Sequence, residues 1–156
     1  MRILVVSDTH GDYFSLKEVV QTHSSAEIIV HCGDGDEQVD FLKNTYKNKM
    51  IIAVKGNCDF GSTLPATEFF TVQGKKIMVT HGHLYNAKAT FYNLLCAAKE
   101  NNADIVLFGH THTPISICTD DVYFLNPGSC HGYRASYGFV DITDKGDIVT
   151  NTAVLK

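Results

Sequence analysis

Ile3-Leu4-Val5-Val6-Ser7-Asp8-Thr9-His10 is the stretch on which the reading of this chain turns. A short apolar run rich in β-branched residues reads as a buried strand, and a polar Asp-Thr-His triplet ends it. The same pattern returns along the chain. Ile28–His31 runs into Gly33-Asp34, and Ile51–Val54 into Gly56-Asn57. Glu68–Val72, Gln73-Gly74-Lys75 and Lys76–Thr80 read as a hairpin that runs into His81-Gly82-His83. Asp104–Phe108 runs into Gly109-His110-Thr111-His112. Strand ends on one edge of a sheet converge, and open α/β sheets bind ligands there.

The segments between these strands have helical spacing. Ser15 and Glu18 have capping-box separation, with Phe14 and Val19 as a hydrophobic staple. A second helix starts near Asp36, which caps it, and turns Val39, Phe41 and Leu42 inward. Asn86–Asn102 is the longest helical pattern, with Ala87, Phe91, Leu94, Leu95 and Ala98 on one face. Strand–helix–strand order in the first half implies a parallel sheet with right-handed crossovers. After Pro114, the runs Ile115–Cys118, Val122–Leu125, Tyr137–Ile142 and Ile148–Leu155 read as mainly antiparallel. The sum is an α/β fold: a four-layer α/β/β/α sandwich of two mixed sheets flanked by helices. No linker, repeat or low-complexity segment interrupts the chain, so one domain over residues 1–156 is expected.

Composition narrows the function classes. The formal net charge is −4 and only two arginines occur, Arg2 and Arg134, so no extended nucleic-acid surface is expected. The cysteines at 32, 58, 96, 118 and 130 are odd in number and form no CxxC pair. They are read as small buried hydrophobes in a reducing compartment. The apolar run after Met1-Arg2 is too short for a signal peptide, and none approaches the ~20 residues of a membrane span. A cytoplasmic location without membrane attachment is expected.

The strand ends carry the carboxylates of Asp8 and Asp34, the imidazoles of His10, His81, His110 and His112, and the amide of Asn57. Asp8 and His10 are two apart, as are His110 and His112, a spacing that aims both side chains the same way in extended chain. Seven donors exceed one four-coordinate ion with an open position and suit two ions sharing a carboxylate. Nitrogen and oxygen donors without thiolate favour Mn, Fe, Zn, Co or Ni. Two such ions ~3.5–4 Å apart lower a bound water's pKa toward ~7 and clamp the attacking and leaving oxygens of an in-line displacement. Phosphate esters need that chemistry, because their uncatalysed hydrolysis is extremely slow. His83 stands at the same edge, as a site contact or a packing residue. Asp59 supports a turn, Asp12 is a loop or cap residue, His31 packs at a strand end, and His23, His131 and Arg134 lie at the surface.

In order and spacing these motifs resemble the calcineurin-like metallophosphoesterase superfamily, and within it the compact bacterial and archaeal phosphodiesterase branch. The matching residues are Asp8-Thr9-His10, Gly33-Asp34, Gly56-Asn57-Cys58-Asp59, His81 and Gly109-His110-Thr111-His112. Asn126-Pro127-Gly128-Ser129 is similar to a segment that follows the last histidine motif in that branch. The resemblance implies Asp8, His10 and His112 on one ion, Asn57, His81 and His110 on the other, and Asp34 between them. It implies Mn as the usual metal, with Ni, Fe, Zn or Co tolerated, and hydrolysis by a hydroxide that bridges the ions. Asp34, Asn57 and His83 are the expected catalytic set.

The chain departs from the larger relatives at Cys58, where they carry a histidine that can protonate the leaving group; a thiol is a poor substitute. A small phosphate ester, nucleotide-like or otherwise, is the expected substrate, and exposed β edges leave a homo-oligomer open. The competing class is an inactive scaffold of the same fold, such as the phosphoesterase-like subunit of retromer. There the D-x-H histidine is replaced, whereas His10 stands here. An amidohydrolase barrel would need ~250 residues, and the H-x-H-x-D-H cluster of metallo-β-lactamases does not occur.

Overall fold

In the sheet that carries the first motif, alternate residues of each strand go to different cores. The computed structural model describes residues 1–156. Strand β1 (Arg2–Val6) sends Ile3 and Val5 into a core between two sheets, and Leu4 and Val6 into a second core under helices. Strand β2 (Ile28–His31) repeats this with Ile28 and Val30 against Ile29. Helices α1 (Tyr13–Thr22) and α2 (Asp36–Thr45) cover that outer face with Leu16, Val19, Val20 and Leu42. Each such side chain, fully buried, contributes roughly 1.5–3 kcal/mol.

The first sheet is completed by β3 (Met50–Ala53), β9 (Ser136–Ile142) and β10 (Ile148–Val154), in the order β10-β9-β1-β2-β3. Its β1, β2 and β3 are parallel, with Val6 beside His31 and His31 beside Ala53, so their C-terminal ends align. The second sheet has the order β4-β5-β6-β8-β7, from β4 (Thr67–Val72), β5 (Lys75–Thr80), β6 (Ile105–Leu107), β7 (Ile115–Thr119) and β8 (Val122–Asn126). Strands β5 and β6 send Ile77, Val79, Ile105 and Leu107 into the inter-sheet core, and Met78 and Val106 toward helix α3 (Tyr92–Glu100). The result is the four-layer sandwich of two mixed sheets expected from the sequence.

Several local expectations are corrected. Helix α1 is capped by Asp12, whose Oδ1 accepts from Ser15 N–H at 2.9 Å; Ser15 is inside the helix and Phe14 is 77% exposed, so there is no staple. Helix α3 spans about half of Asn86–Asn102. Asn86 is left-handed (φ 54°), and Thr90 Oγ1 takes the Tyr92 N–H at 3.2 Å, so regular turns begin only at Tyr92. Ala87, Leu94 and Ala98 still pack on the second sheet. The strands after Pro114 are mainly antiparallel as expected, β7 with β8 and β9 with β10, but β8 runs parallel to β6, and β9 and β10 join the first sheet. Of the cysteines, all unpaired, Cys32 and Cys130 are buried but Cys58 and Cys118 are exposed. His23 is half-buried rather than solvated; its ring lies 4.7 Å from that of Tyr137 and its Nε2 is buried. No helix is long and apolar enough to cross a membrane.

Candidate metal centre

Parallel pairing of β1, β2 and β3 in one sheet, and of β5 and β6 in the other, brings the loops after all five strands to one edge of the sandwich. The local backbone there is not extended. Asp8, His10, Asp34, His110 and His112 all have positive φ, between 42° and 68°. The two-residue spacings therefore work through left-handed turns rather than through the strand period. Such conformations are uncommon outside glycine and persist only where the surroundings over-determine them. Two glycines allow the close approach. A Cβ on Gly56 would lie 2.0 Å from Asp34 Oδ1, and one on Gly109 would lie 2.6 Å from Asp8 Oδ2.

The side chains meet in overlapping groups. Asp8 Oδ1 lies 3.0 Å from His112 Nε2 and 3.8 Å from both His10 Nε2 and His81 Nε2. His10 Nε2 and His112 Nε2 face each other at 3.4 Å. Asp34 Oδ2 stands between the two sides, 3.4 Å from His81 Nε2 and 3.9 Å from His10 Nε2. Asn57 Oδ1 is 3.0 Å from His81 Nε2. The ring of His110 lies 5.1 Å from that of His81, and the His110 backbone N–H donates to Asp8 Oδ2. Asp8, His10 and His112 can hold one cation, and Asp8, Asp34 and His81 another; Cys58 with His10 and Asp34 makes a third donor group. His83 joins none of these groups, although its ring is 6.1 Å from that of His110.

Several observations test whether this set fits metal ions. Asp8 Oδ1 is buried and accepts no hydrogen bond, despite its short separation from His112; the pair lacks hydrogen-bond geometry. An orphaned buried carboxylate oxygen is costly unless a cation meets it. His81 is fully buried, and its Nδ1 lies 2.7 Å from the Cys32 carbonyl oxygen. That bond holds a proton on Nδ1, so that a cation taking the place of the Nε2 proton would meet a lone pair beside Asp8, Asp34 and Asn57, the usual orientation of a ligating histidine. The donor set fits divalent ions of the Mn, Fe, Co, Ni and Zn group.

Charge within the cluster is strongly coupled. Burial opposes ionisation of Asp34, but hydrogen bonds from His81 and the Cys58 N–H hold its carboxyl well below the usual carboxylate range. Burial likewise opposes protonation of His81, yet Asp34 and Asp8 raise its pKa. Burial and the neighbouring His81 lower the pKa of His83 and of His110.

Groups that sequence reading left in the background hold the loops. Asp59 accepts four backbone N–H groups: Asp34 at 2.8 Å, Gly35 at 2.9 Å, Asp36 at 3.1 Å and Gly56 at 2.7 Å. Asp36 therefore does not cap α2; its own carboxylate takes the Ser62 hydroxyl at 2.9 Å. Ser7 Oγ donates to Asp8 Oδ2 at 2.6 Å. Asn126 Nδ2 donates to the Gly109 carbonyl at 2.9 Å, and Ser129 Oγ to the Asp8 carbonyl at 2.8 Å. The Asn-Pro-Gly-Ser segment thus ties two ligand-bearing loops together. His131 is exposed beside His10, their rings 6.3 Å apart, and Arg134 is exposed. A cleft of about 320 Å³ opens from His10, Asp34 and Cys58 toward Asp36, Glu37 and Phe60.

A mixed α/β sandwich with carboxylate, imidazole and amide donors gathered at one sheet edge defines a class of metal-binding protein. Residues 1–145 match the model of the calcineurin-like phosphoesterase superfamily domain, and the chain belongs to that superfamily. It is 34% identical over 154 residues to the probable metallophosphoesterase YsnB of Bacillus subtilis, covering 96% of this chain and 88% of that protein. It is 29% identical over 160 residues to the phosphodiesterase MJ0936 of Methanocaldococcus jannaschii, covering 92% and 93%. The crystal structure of Vps29 from Entamoeba histolytica with zinc superposes with a TM-score of 0.76 at 23% identity, over 99% of each chain. That last likeness is one of fold.

Proposed function

We propose that this chain hydrolyses small phosphate esters, diesters in preference to monoesters, with two divalent ions held by Asp8, His10, Asp34, Asn57, His81, His110 and His112. The observation that carries the reading is Asp8 Oδ1, buried without a hydrogen-bond partner and ringed by the Nε2 atoms of His112, His10 and His81 at 3.0–3.8 Å. In this reading Asp8, His10 and His112 hold one ion, Asn57, His81 and His110 the other, and Asp34 serves both. Such ions supply an acidified water at neutral pH and positive charge for the phosphoryl oxygens. Mn is the expected resident, with Ni, Fe, Zn or Co tolerated.

The chain's own groups do the rest. Asp34 stays ionised through its hydrogen bonds, so its charge is available across the whole working pH range. His81 is held in one tautomer by the Cys32 carbonyl. Burial keeps His83 neutral at pH 7, so its role is to hydrogen-bond an ester oxygen rather than to bring a full positive charge. Cys58, within reach of His10 and Asp34, offers no strong acid, because burial and the nearby Asp34 push its thiol up. Esters with good leaving groups suit such a site best. The substrate is a small ester, nucleotide-like or otherwise; a cytoplasmic location and self-association through exposed β edges complete the proposal.

The test is to strip the protein of metal, reload it with Mn and assay an aryl phosphodiester beside the matching monoester, with His112→Ala in parallel. The expected outcome is Mn-dependent turnover, faster on the diester and lost in the variant. No turnover with Mn, Ni, Zn, Co or Fe would favour a non-catalytic scaffold, the class that the Vps29 fold likeness represents.

A further inference from the structure

Thr9 stands between Asp8 and His10, yet it turns inward and is fully buried. Behind it lie His31, at the end of β2, and Gln38, in the first turns of α2; both are buried too. Thr9 Oγ1 is 3.0 Å from His31 Nε2 and 3.1 Å from Gln38 Oε1. His31 Nδ1 accepts the Gly33 N–H at 3.2 Å, and Gln38 Oε1 also accepts the Gly11 N–H at 3.2 Å. The Thr9 hydroxyl also faces the Asp34 carbonyl at 3.5 Å, but its shorter contact is to Gln38, and the backbone donors set the direction of the rest. A backbone N–H on Nδ1 leaves the neutral ring's proton on Nε2, which donates to the Thr9 hydroxyl. That hydroxyl then donates to Gln38 Oε1, which cannot donate in return. The result is a one-way chain that runs from Gly33 through His31 and Thr9 to Gln38, with Gly11 joined at its end.

The chain connects the two loops that carry Asp8, His10 and Asp34. Only two backbone bonds join those loops directly, Asp8 N–H to the Gly33 carbonyl at 2.9 Å and His10 N–H to the Asp34 carbonyl at 3.2 Å. All three of these acidic and imidazole residues are left-handed and need support from outside themselves. No side chain fits where the chain passes: a Cβ on Gly35 would lie 2.0 Å from Thr9 Oγ1 and 2.7 Å from His31 Nε2. A buried hydrogen-bonded network selects one geometry.

We propose that Thr9, His31 and Gln38 are positioning residues that fix the spacing between the Asp8–His10 loop and the Asp34 loop, and so the affinity of the centre for its ions. The inference rests on the metal-binding reading given above, and its test separates the two. Thr9→Val keeps the shape and removes the hydroxyl; Thr9→Ser keeps the hydroxyl; Gln38→Met removes the shared acceptor at similar volume. Mn binding is followed by titration calorimetry, with urea unfolding of the metal-free proteins beside it.

The expected result is that Thr9→Val and Gln38→Met weaken Mn binding by ~10–100-fold while remaining folded, and that Thr9→Ser restores wild-type affinity. Wild-type affinity in Thr9→Val or Gln38→Met, at whatever stability, would overturn the proposal. If the wild type itself takes up no ion, the metal-binding reading fails, and the metal-free protein decides on the clamp. Long-range ¹⁵N correlation spectra should then show His31 protonated on Nε2 alone, and Thr9→Val should speed amide exchange at Gly11 and Gly33. A His31 proton on Nδ1, or unchanged exchange in the variant, would sink the clamp by itself.

Discussion

Helix α1 starts on a cap from its own turn, whereas helix α2 starts on a carboxylate from beyond β3. Both turns bear site residues and both contain left-handed ones. In the first, Asp12 takes the Ser15 N–H and hydroxyl at 2.9 and 2.7 Å, a local cap, and reaches only Gly132 from afar. In the second, α2 starts at Gly35 without a local side-chain cap, and Asp59 gathers the N–H groups of Asp34, Gly35 and Asp36. The same carboxylate takes Gly56 N–H from the loop that carries Asn57. Asp34 and Asn57 thus share one anchor, so one substitution at a residue outside the donor set moves both loops.

Asp59→Ala tests that difference with the largest expected effect. Four N–H groups lose their acceptor, each worth ~1–3 kcal/mol when left unpaired, and water reaching this half-exposed loop recovers part. The net loss should be about 4 kcal/mol in urea unfolding, with Mn affinity down ~10–100-fold. A loss below about 1 kcal/mol with unchanged affinity would show that the α2 turn holds itself.

The contrast also marks how far sequence reading reached. Alternation in Ile3–Val6 and Ile28–His31 placed the sheets, and the polar groups just past them marked the edge where the candidate donors gather, because both signals are local. Sequence spacing puts the cap of α1 three residues late, at Ser15, with Asp12 as a loop or cap residue, because both positions carry capping chemistry. The four bonds of Asp59 were not legible, since their partners lie 3 to 25 residues away and only folding brings them together. His31 read as strand packing because no pattern reveals that Thr9 faces inward. The left-handed state of Asp8, His10 and Asp34 left no glycine as a signal. Residues 86–91 read as helix from their apolar spacing, but Asn86 turns left-handed and the Thr90 hydroxyl competes for a helical N–H. The transfer of β9 and β10 to the first sheet is a long-range pairing that periodicity does not encode.

His31 joins the two turns, and acid should loosen the joint. Burial holds its pKa down at about 4, against the pull of Asp8, Asp59 and Asp34, with His81 adding to the depression. The unfolded chain takes up this proton near pH ~6.5. Between there and about 4 the unfolded state therefore binds more protons, and metal-free stability falls as pH falls. The whole effect is about 3 kcal/mol, complete near pH 4, below which this group adds no further slope. His81, with its raised pKa, contributes the opposite slope and remains in a His31→Gln variant. Unfolding of both proteins at pH 7 and pH 4.5 should show the wild type losing more stability than the variant. Equal losses would mean that the folded ring takes up its proton as readily as the unfolded one.

The smallest effect belongs to the local turn. Asp12→Ala removes a helix cap and one contact to Gly132, and about 1 kcal/mol of stability is expected to go with it. Phe14, the second residue of α1, is exposed and packs against no staple partner, so Phe14→Ala should stay within about 0.5 kcal/mol of the wild type. Neither change should alter Mn affinity, because Thr9 and its partners, rather than Asp12, reach across to the Asp34 loop. A loss of Mn binding in Asp12→Ala comparable to that of Asp59→Ala would erase the distinction between the two turns. Both loops would then depend on one continuous shell that extends through Gly132 to the Asn126–Ser129 segment.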